Sequence, residues 1–307
     1  MDIGLCADNN FVVPLGICIL SVLETNRSHE ICFHVISSGI SDTNKGIISD
    51  VVLKYNKKVA FYDIDGDTFK EYPVNDRFPN SIYYRFLLSE LLPDNVERIL
   101  YLDCDTIVNG DISELFATDL GDTFCGVVPS QSCDDIRHKN RLGIGYRYFN
   151  SGVLLFEISV WRQNDIVAKS MQFLGNENYM PVCPDQDALN VVFDNNVTWL
   201  PWKYNFQEDL LMPHSNSFID RKEWDIIDQN IHDMRILHYC GNFKPWHKEC
   251  LNPLCYKWLE LFGISPWRNT KFHYKNSLKE RIRHRIARDL YFHVNPLYID
   301  LINKKSI

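Results

Sequence analysis

Arg98-Ile99-Leu100-Tyr101-Leu102-Asp103-Cys104-Asp105-Thr106-Ile107-Val108 is the most informative stretch of this 307-residue chain. A bulky apolar run, Arg98–Leu102, reads as a buried strand and ends abruptly in two carboxylates. Side chains at i and i+2 of an extended backbone point to one side, so Asp103 and Asp105 can share one hard divalent cation through oxygen ligands. Such an ion, with coordination positions left open, would hold a diphosphate. An Asp-x-Asp by itself is a weak signal, because acidic residues also close strands and turns.

Upstream of this stretch, short apolar runs alternate with helix-length amphipathic segments. Asp2–Ala7, Ile31–Ile36 and Val59–Tyr62 read as strands, with helices at Pro14–Glu24 and Thr43–Tyr55. Ser81–Leu92 reads as a further helix with Ser81 as its N-cap. Strand-helix-strand alternation implies a parallel sheet with right-handed crossovers. Ligands of open α/β sheets bind beyond the carboxyl ends of the strands. The polar groups at those ends are Asp8-Asn9-Asn10 and Asp103-Cys104-Asp105, which the sheet is expected to bring to one edge. Downstream, Phe149–Ile158 reads as a strand entering a helix at Ser159–Phe173, Asp185–Phe193 as a short helix and Ile236–Tyr239 as a strand. Between them, Pro201–Met234 is rich in aromatic, Asn and Asp residues without a clear period. A long irregular segment inside a compact domain is usually functional.

Two enzyme classes place Asp-x-Asp after an apolar strand. In haloacid-dehalogenase-type phosphatases the first Asp is a nucleophile near the start of the domain, with a Thr two residues after the second Asp. Here Ile107 takes that position and a long α/β region comes first. Glycosyltransferases that use nucleotide-sugar donors are the other class. From Met1 to about Phe262 the chain resembles glycosyltransferase family 8, the retaining galactosyl- and glucosyltransferases of lipopolysaccharide and lipo-oligosaccharide synthesis. The resemblance rests on Ala7-Asp8-Asn9-Asn10-Phe11, Tyr84-Arg85, Leu102-Asp103-Cys104-Asp105, Phe149-Asn150-Ser151-Gly152-Val153, Asp185-Gln186-Asp187, and His238-Tyr239-Cys240-Gly241 running into Lys244-Pro245-Trp246-His247. It implies a GT-A fold, a nucleotide-binding Rossmann-like mixed sheet flanked by helices.

The resemblance also implies roles. His238 would be the third metal ligand with Asp103 and Asp105, although a lone His after a strand is more often a hydrogen-bonded core residue. Two carboxylates and an imidazole would suit Mn²⁺, or Mg²⁺ in its place. Ala7, Asp8 and Asn10 would meet the uracil and ribose of a UDP-sugar, where the residues alone equally suggest a turn. Arg85, Cys104, Asn150 and Gly241 would line the donor site. Lys244 would present its cation to the diphosphate from a loop that closes over it, and Pro73–Asn80 would form a second lid. Asp185 would bind donor-sugar hydroxyls, and Gln186 would stand near the anomeric carbon. An amide is a poor nucleophile, which favours front-face transfer over a covalent intermediate. Both acids of Asp185-Gln186-Asp187 would also favour the positive end of a helix dipole. Trp199, Trp202, Tyr204 and Phe206 are given no role at the site. A non-catalytic sugar-nucleotide-binding module is the remaining alternative.

The composition, 45% hydrophobic and 23% charged, is that of a folded chain with a substantial core. A net charge of −8 argues against a broad basic face, and so against a nucleic-acid partner. The charge is uneven. From Lys271 onward nine Lys and Arg face three Asp and Glu, net +6, while the remaining 23 basic and 37 acidic residues give −14. In that basic tail Leu278, Ile282, Ile286 and Leu290 recur every fourth residue among Lys279, Arg281, Arg283, Arg285 and Arg288. This reads as an amphipathic helix on an anionic membrane surface, or as a helix docked on its own domain or a partner. A catalytic domain is therefore expected over 1–265 and a tail over 266–307. Ten cysteines without a CxxC pair suggest reduced thiols in the cytosol. The first residues lack a basic n-region, and Pro14 and Gly16 break the apolar run Phe11–Leu23, so neither a signal peptide nor a membrane span is expected. The expected location is the cytoplasm, peripheral on the inner face of the membrane, with a saccharide or lipid-linked acceptor.

Overall fold

Arg98–Leu102 is a strand, and the sheet around it follows from the alternation upstream. The computed structural model describes residues 1–73, 79–131, 135–180, 182–211, 219–250, 252–273, 277–279 and 281–282. In order, the first half contains β1 (Asp2–Asp8), α1 (Val12–Thr25), β2 (Cys32–Ser38), α2 (Asp42–Lys54), β3 (Lys58–Asp63), a 3₁₀ segment (Asn80–Leu87), α3 (Leu88–Leu91), β4 (Arg98–Leu102) and β5 (Thr106–Val108). Then come α4 (Ser113–Phe116), β6 (Cys125–Pro129), α5 (Ile136–Leu142), β7 (Phe149–Glu157), α6 (Ile158–Gln163), α7 (Ile166–Leu174) and α8 (Pro184–Phe193). Last are β8 (Val197–Trp199), β9 (Phe206–Gln207), α9 (Arg221–Asn230), β10 (Ile236–His238) and α10 (Cys255–Ile264).

Among the described residues, seven strands form one sheet in the order β3-β2-β1-β4-β7-β6-β8. Pairs β1–β2, β2–β3 and β1–β4 are parallel, as the strand-helix alternation requires. β7 runs antiparallel to both β4 and β6, where that alternation has broken down, so the sheet is mixed. A second sheet, β5-β10-β9, branches off just after the two aspartates. α1 is largely apolar around its whole circumference because it is covered on nearly all sides, with Val12 and all of Pro14–Leu23 buried. Each such aliphatic side chain contributes about 1.5–3 kcal/mol when fully buried. A Cβ on Gly16 would stand 2.1 Å from the Trp267 ring, so that indole lies directly on the helix backbone. Trp267 and Phe272 thus carry the packing of the main body past residue 265.

Two helices differ from their sequence reading. Ser81–Leu92 is not one α-helix but a 3₁₀ segment followed by a single α turn, and Pro79 rather than Ser81 stands at its cap. Arg85 Nε donates to the Ile82 carbonyl at 2.9 Å, and so takes up an acceptor that a regular α turn would use. Tyr83 to Phe86 are all buried, so tertiary contacts govern here rather than helical periodicity. Ser159–Phe173 is likewise divided, into α6 and α7, at Asp165, which adopts left-handed φ 53°. Asp is one of the few side chains that tolerate this conformation. Of the tail, the described Leu278 and Ile282 are exposed; the stripe beyond residue 282 lies outside the described residues.

Candidate active site

Parallel pairing of β1 with β4, Ile3 opposite Leu100, puts the ends of both strands at one edge. Cys104 Sγ donates to the Cys6 carbonyl across this junction at 3.2 Å, which fastens the Asp-x-Asp turn to the Ala7–Asn10 segment. Past Asp105 the chain enters β5, which pairs antiparallel with β10, Thr106 opposite His238. That register delivers the imidazole to the carboxylates. His238 Nε2 lies 3.2 Å from Asp105 Oδ1 and 4.0 Å from Asp103 Oδ2.

The tautomer of His238 can be deduced from its neighbours. Gly152 N–H donates to Asn150 Oδ1 at 2.9 Å, so that atom is an acceptor. Asn205 Nδ2 donates to the same oxygen at 2.8 Å, which leaves Asn205 Oδ1 facing His238 Nδ1 at 3.0 Å. An amide oxygen can only accept, so His238 carries a proton on Nδ1, and in the neutral ring the lone pair of Nε2 faces Asp103 and Asp105. A ligating histidine is normally oriented in this way. One ligand atom from each of Asp103, Asp105 and His238 lies within 4.8 Å of the others. The three fit a divalent ion that accepts oxygen and nitrogen. Gly152 makes room for them: a Cβ there would stand 2.3 Å from His238 Cε1 and 2.8 Å from Asp103 Oδ2. It also holds the aspartate turn, its carbonyl accepting from Asp103 N at 2.8 Å.

Arg85 is a buried cation. It is 4% exposed, with Nη2 2.9 Å from Asp103 Oδ1 and Nη1 3.2 Å from Asp185 Oδ2. Nη1 also donates to Ser151 Oγ and to the Ser151 carbonyl. Burial opposes its charge, but the carboxylates of Asp103 and Asp185 outweigh burial and hold the proton firmly. Tyr101 donates to the same Asp103 oxygen at 2.5 Å. Asp185 opens α8, with Pro184 at the first helical position. Burial, with help from Asp103, pushes its carboxyl up, against Arg85. Gln186 Oε1 accepts from Ser151 N at 2.9 Å. Asp187 is different in kind, since His138, Tyr148 and Tyr179 donate to it at 2.7, 2.5 and 2.7 Å. It anchors α8 from below.

Lys244 reaches the metal-ligand group from the other side. Its Nζ donates to Asp105 Oδ2 and to the Tyr239 carbonyl, both at 2.6 Å. Gly241, nearby, is pressed against Glu208, where a Cβ would fall 1.5 Å from Oε1. Asp8 caps the turn after β1, accepting from Asn10 N at 2.8 Å and Phe11 N at 3.2 Å. Its turn-forming role is therefore present, with Asn10 exposed beside it and Ala7 buried. Of Pro73–Asn80, expected to form a second lid, residues 74–78 lie outside the described residues. Trp202, Tyr204 and Phe206 are core residues.

The profile of Glycosyl transferase family 8 matches residues 2–250. The chain belongs to this family. Lipopolysaccharide glucosyltransferase WaaO of Escherichia coli K12 is 28% identical over 302 residues, covering 95% of this chain and 87% of that protein. Lipopolysaccharide 1,3-galactosyltransferase of Salmonella typhimurium LT2 is 26% identical over 267 residues, covering 85% and 77%. The crystal structure of galactosyltransferase LgtC in complex with donor and acceptor sugar analogs superposes with a TM-score of 0.77 at 27% identity, over 92% of this chain and all of that one.

This family 8 enzyme is thus a glycosyltransferase with the GT-A fold, and the phosphatase and non-catalytic readings fall away. No helix among the described residues is long and apolar enough to cross a membrane. Sequence reasoning missed Asn205 and Tyr101 at the site. Asn205 falls inside the aperiodic Pro201–Met234 segment, which marked the region without marking the residue.

Proposed function

We propose that this family 8 enzyme is a retaining hexosyltransferase that moves galactose or glucose from a UDP-sugar to a hydroxyl of a lipopolysaccharide-type glycolipid precursor, dependent on Mn²⁺ or, in its place, Mg²⁺. The observation that carries the reading is the convergence of Asp103, Asp105 and an imidazole whose free nitrogen faces them. When bound, the ion supplies positive charge against the developing charge of the departing diphosphate. The relatives named for lipopolysaccharide glucosyl and galactosyl transfer support the donor and acceptor classes.

Each residue then has a physical task. Ala7, Asp8 and Asn10, at the end of β1, hold uracil and ribose. Arg85 fixes Asp103 and Asp185 relative to each other, and so couples the diphosphate end of the donor to the sugar end. Asn150, Cys104 and Gly241 shape the donor pocket. Asp185 receives sugar hydroxyls, and Gln186, oriented by the Ser151 amide, supports an oxocarbenium-like transition state while the acceptor attacks from the face that UDP leaves. Lys244 neutralises the leaving group as the Gly241–His247 loop closes and excludes water. Residues 1–265, together with Trp267 and Phe272 on their core, form the catalytic domain, and the basic segment beyond them attaches the enzyme peripherally to an anionic membrane in the cytoplasm.

Incubation of the purified chain with UDP-galactose and UDP-glucose, with and without Mn²⁺, tests the reading. Slow UDP release that requires the ion and is lost in Asp105→Ala is expected. Metal-independent turnover, or full activity in that variant, would overturn it.

A further inference from the structure

At the opposite end of the parallel sheet, β1 and β2 begin with a second group of metal-binding side chains. Asp2 is paired directly with Cys32, and His34 lies two residues further along β2, so all three point to one face. One ligand atom of each lies within 4.8 Å of the others. His34 is 3% exposed, with Nε2 2.9 Å from Asp2 Oδ1. Its Nδ1 faces the Tyr62 hydroxyl at 3.0 Å, and the two rings stack at 5.9 Å. The phenol on β3 can accept from an Nδ1–H, and in that tautomer the lone pair of Nε2 is turned toward the carboxylate and the sulfur. This is the outer-shell arrangement that holds a ligating imidazole in place.

The donor set differs from that of Asp103, Asp105 and His238. A carboxylate, a sulfur and an imidazole suit a borderline-soft ion, whereas two carboxylates and an imidazole suit a harder one. Asp2 is about one-third exposed, at 32%, so solvent can reach a fourth coordination position. β1 is seven residues long, and at about 3.3 Å per residue this places the group on the order of 20 Å from the donor site.

We propose that Asp2, Cys32 and His34 bind one zinc ion, with water as fourth ligand, which clasps the starts of β1 and β2. Binding displaces the proton of the Cys32 thiol and any proton that His34 Nε2 shares with Asp2, because thiolate and an unprotonated imidazole nitrogen are the ligating forms. The ion stabilises the sheet without entering the transfer reaction.

Cobalt separates the two sites, because a thiolate bound to Co²⁺ gives a near-ultraviolet charge-transfer band and the Asp-Asp-His group has no sulfur ligand. The full chain, stripped with a chelator, is titrated with Co²⁺. A band saturating at one equivalent is expected in the wild type and in Asp103→Ala, abolished by an equivalent of Zn²⁺ and absent in Cys32→Ser. Zinc should also raise the melting temperature of Asp103→Ala by several degrees and leave the double variant Asp103→Ala/Cys32→Ser unmoved. Cys32→Ser should keep its Mn²⁺-dependent UDP release, which shows that it is folded. Absence of the band in the wild type, or its persistence in Cys32→Ser, would overturn the proposal.

Discussion

Lys244 Nζ stands 2.6 Å from Asp105 Oδ2, on a carboxylate whose other oxygen faces His238. Burial disfavours the charge on both partners, yet Asp105 keeps Lys244 protonated and Lys244 holds the Asp105 carboxyl well below its ordinary range. In the proposed reaction the ammonium and a divalent ion would compete for the Asp105 carboxylate until a diphosphate offered the lysine another partner.

Lys244→Ala should therefore bind Mn²⁺ several-fold more tightly than the wild type when no nucleotide is present. Its donor turnover should nevertheless fall by about 10²-fold, the usual cost of losing one charge-stabilising group. Calorimetric titration of Mn²⁺ and a UDP-release assay measure the two effects. Weaker Mn²⁺ binding in the variant would show that the lysine supports the ion rather than competing with it.

Asn205 acts through His238, its side-chain oxygen facing Nδ1 and so leaving Nε2 as the nitrogen turned to the aspartates. Asn205→Ala should weaken Mn²⁺ binding by about 10–100-fold, the range expected for loss of a partner that orients a ligand. Asn205→Asp keeps an acceptor for the Nδ1 proton and should lose much less. Electron paramagnetic resonance of free Mn²⁺ reads both, and equal losses in the two variants would remove the tautomer argument.

Gly152→Ala tests packing at the same centre. The added Cβ would meet His238 Cε1 at 2.3 Å and Asp103 Oδ2 at 2.8 Å, distances that no real Cβ keeps. The ring and the carboxylate must separate, so Mn²⁺ binding and UDP release should both be lost. The clash falls on side chains at a strand end, so circular dichroism should show the sheet intact. Retention of Mn²⁺ affinity would show that the two ligands can move apart and still serve.

The parallel half of the sheet is legible in sequence because its signals are local: short apolar runs, helix-length spacers and the aspartates that end β4. The site is less so. That His238 faces Asp105 depends on β5 pairing with β10, and these strands are far apart in the chain, so only the family motifs could join them. Arg85 carried a usable sign that periodicity did not weigh. A guanidinium between Tyr84 and Phe86, in a run of apolar residues, is buried only if carboxylates meet it. Asn205 had no such sign, since its role is set by two neighbours, Asn150 and His238, that the sequence alone does not place beside it.

Asp185 and Asp187 lie two residues apart at the start of α8, but the structure gives them opposite environments. Asp187 is wholly buried; burial works against its charge, yet His138, Tyr148 and Tyr179 together hold its carboxyl below the ordinary range. A depressed folded-state pKa contributes stability above the unfolded value of about 3.9, lost as pH falls through the folded value. The wild type should therefore lose an acid-labile increment of stability below about pH 4 that Asp187→Asn lacks. Asp187→Ala leaves a buried imidazole and two phenols without their acceptor and should cost about 3–5 kcal/mol, measured by urea unfolding at neutral pH. Asp185→Asn, by contrast, replaces a carboxyl that burial already pushes toward its neutral form. It should change stability by less than Asp187→Ala does and reduce UDP release far more than it reduces the unfolding midpoint. The reverse pattern, an active Asp185→Asn beside a stable but inactive Asp187→Ala, would exchange the roles assigned to the two acids.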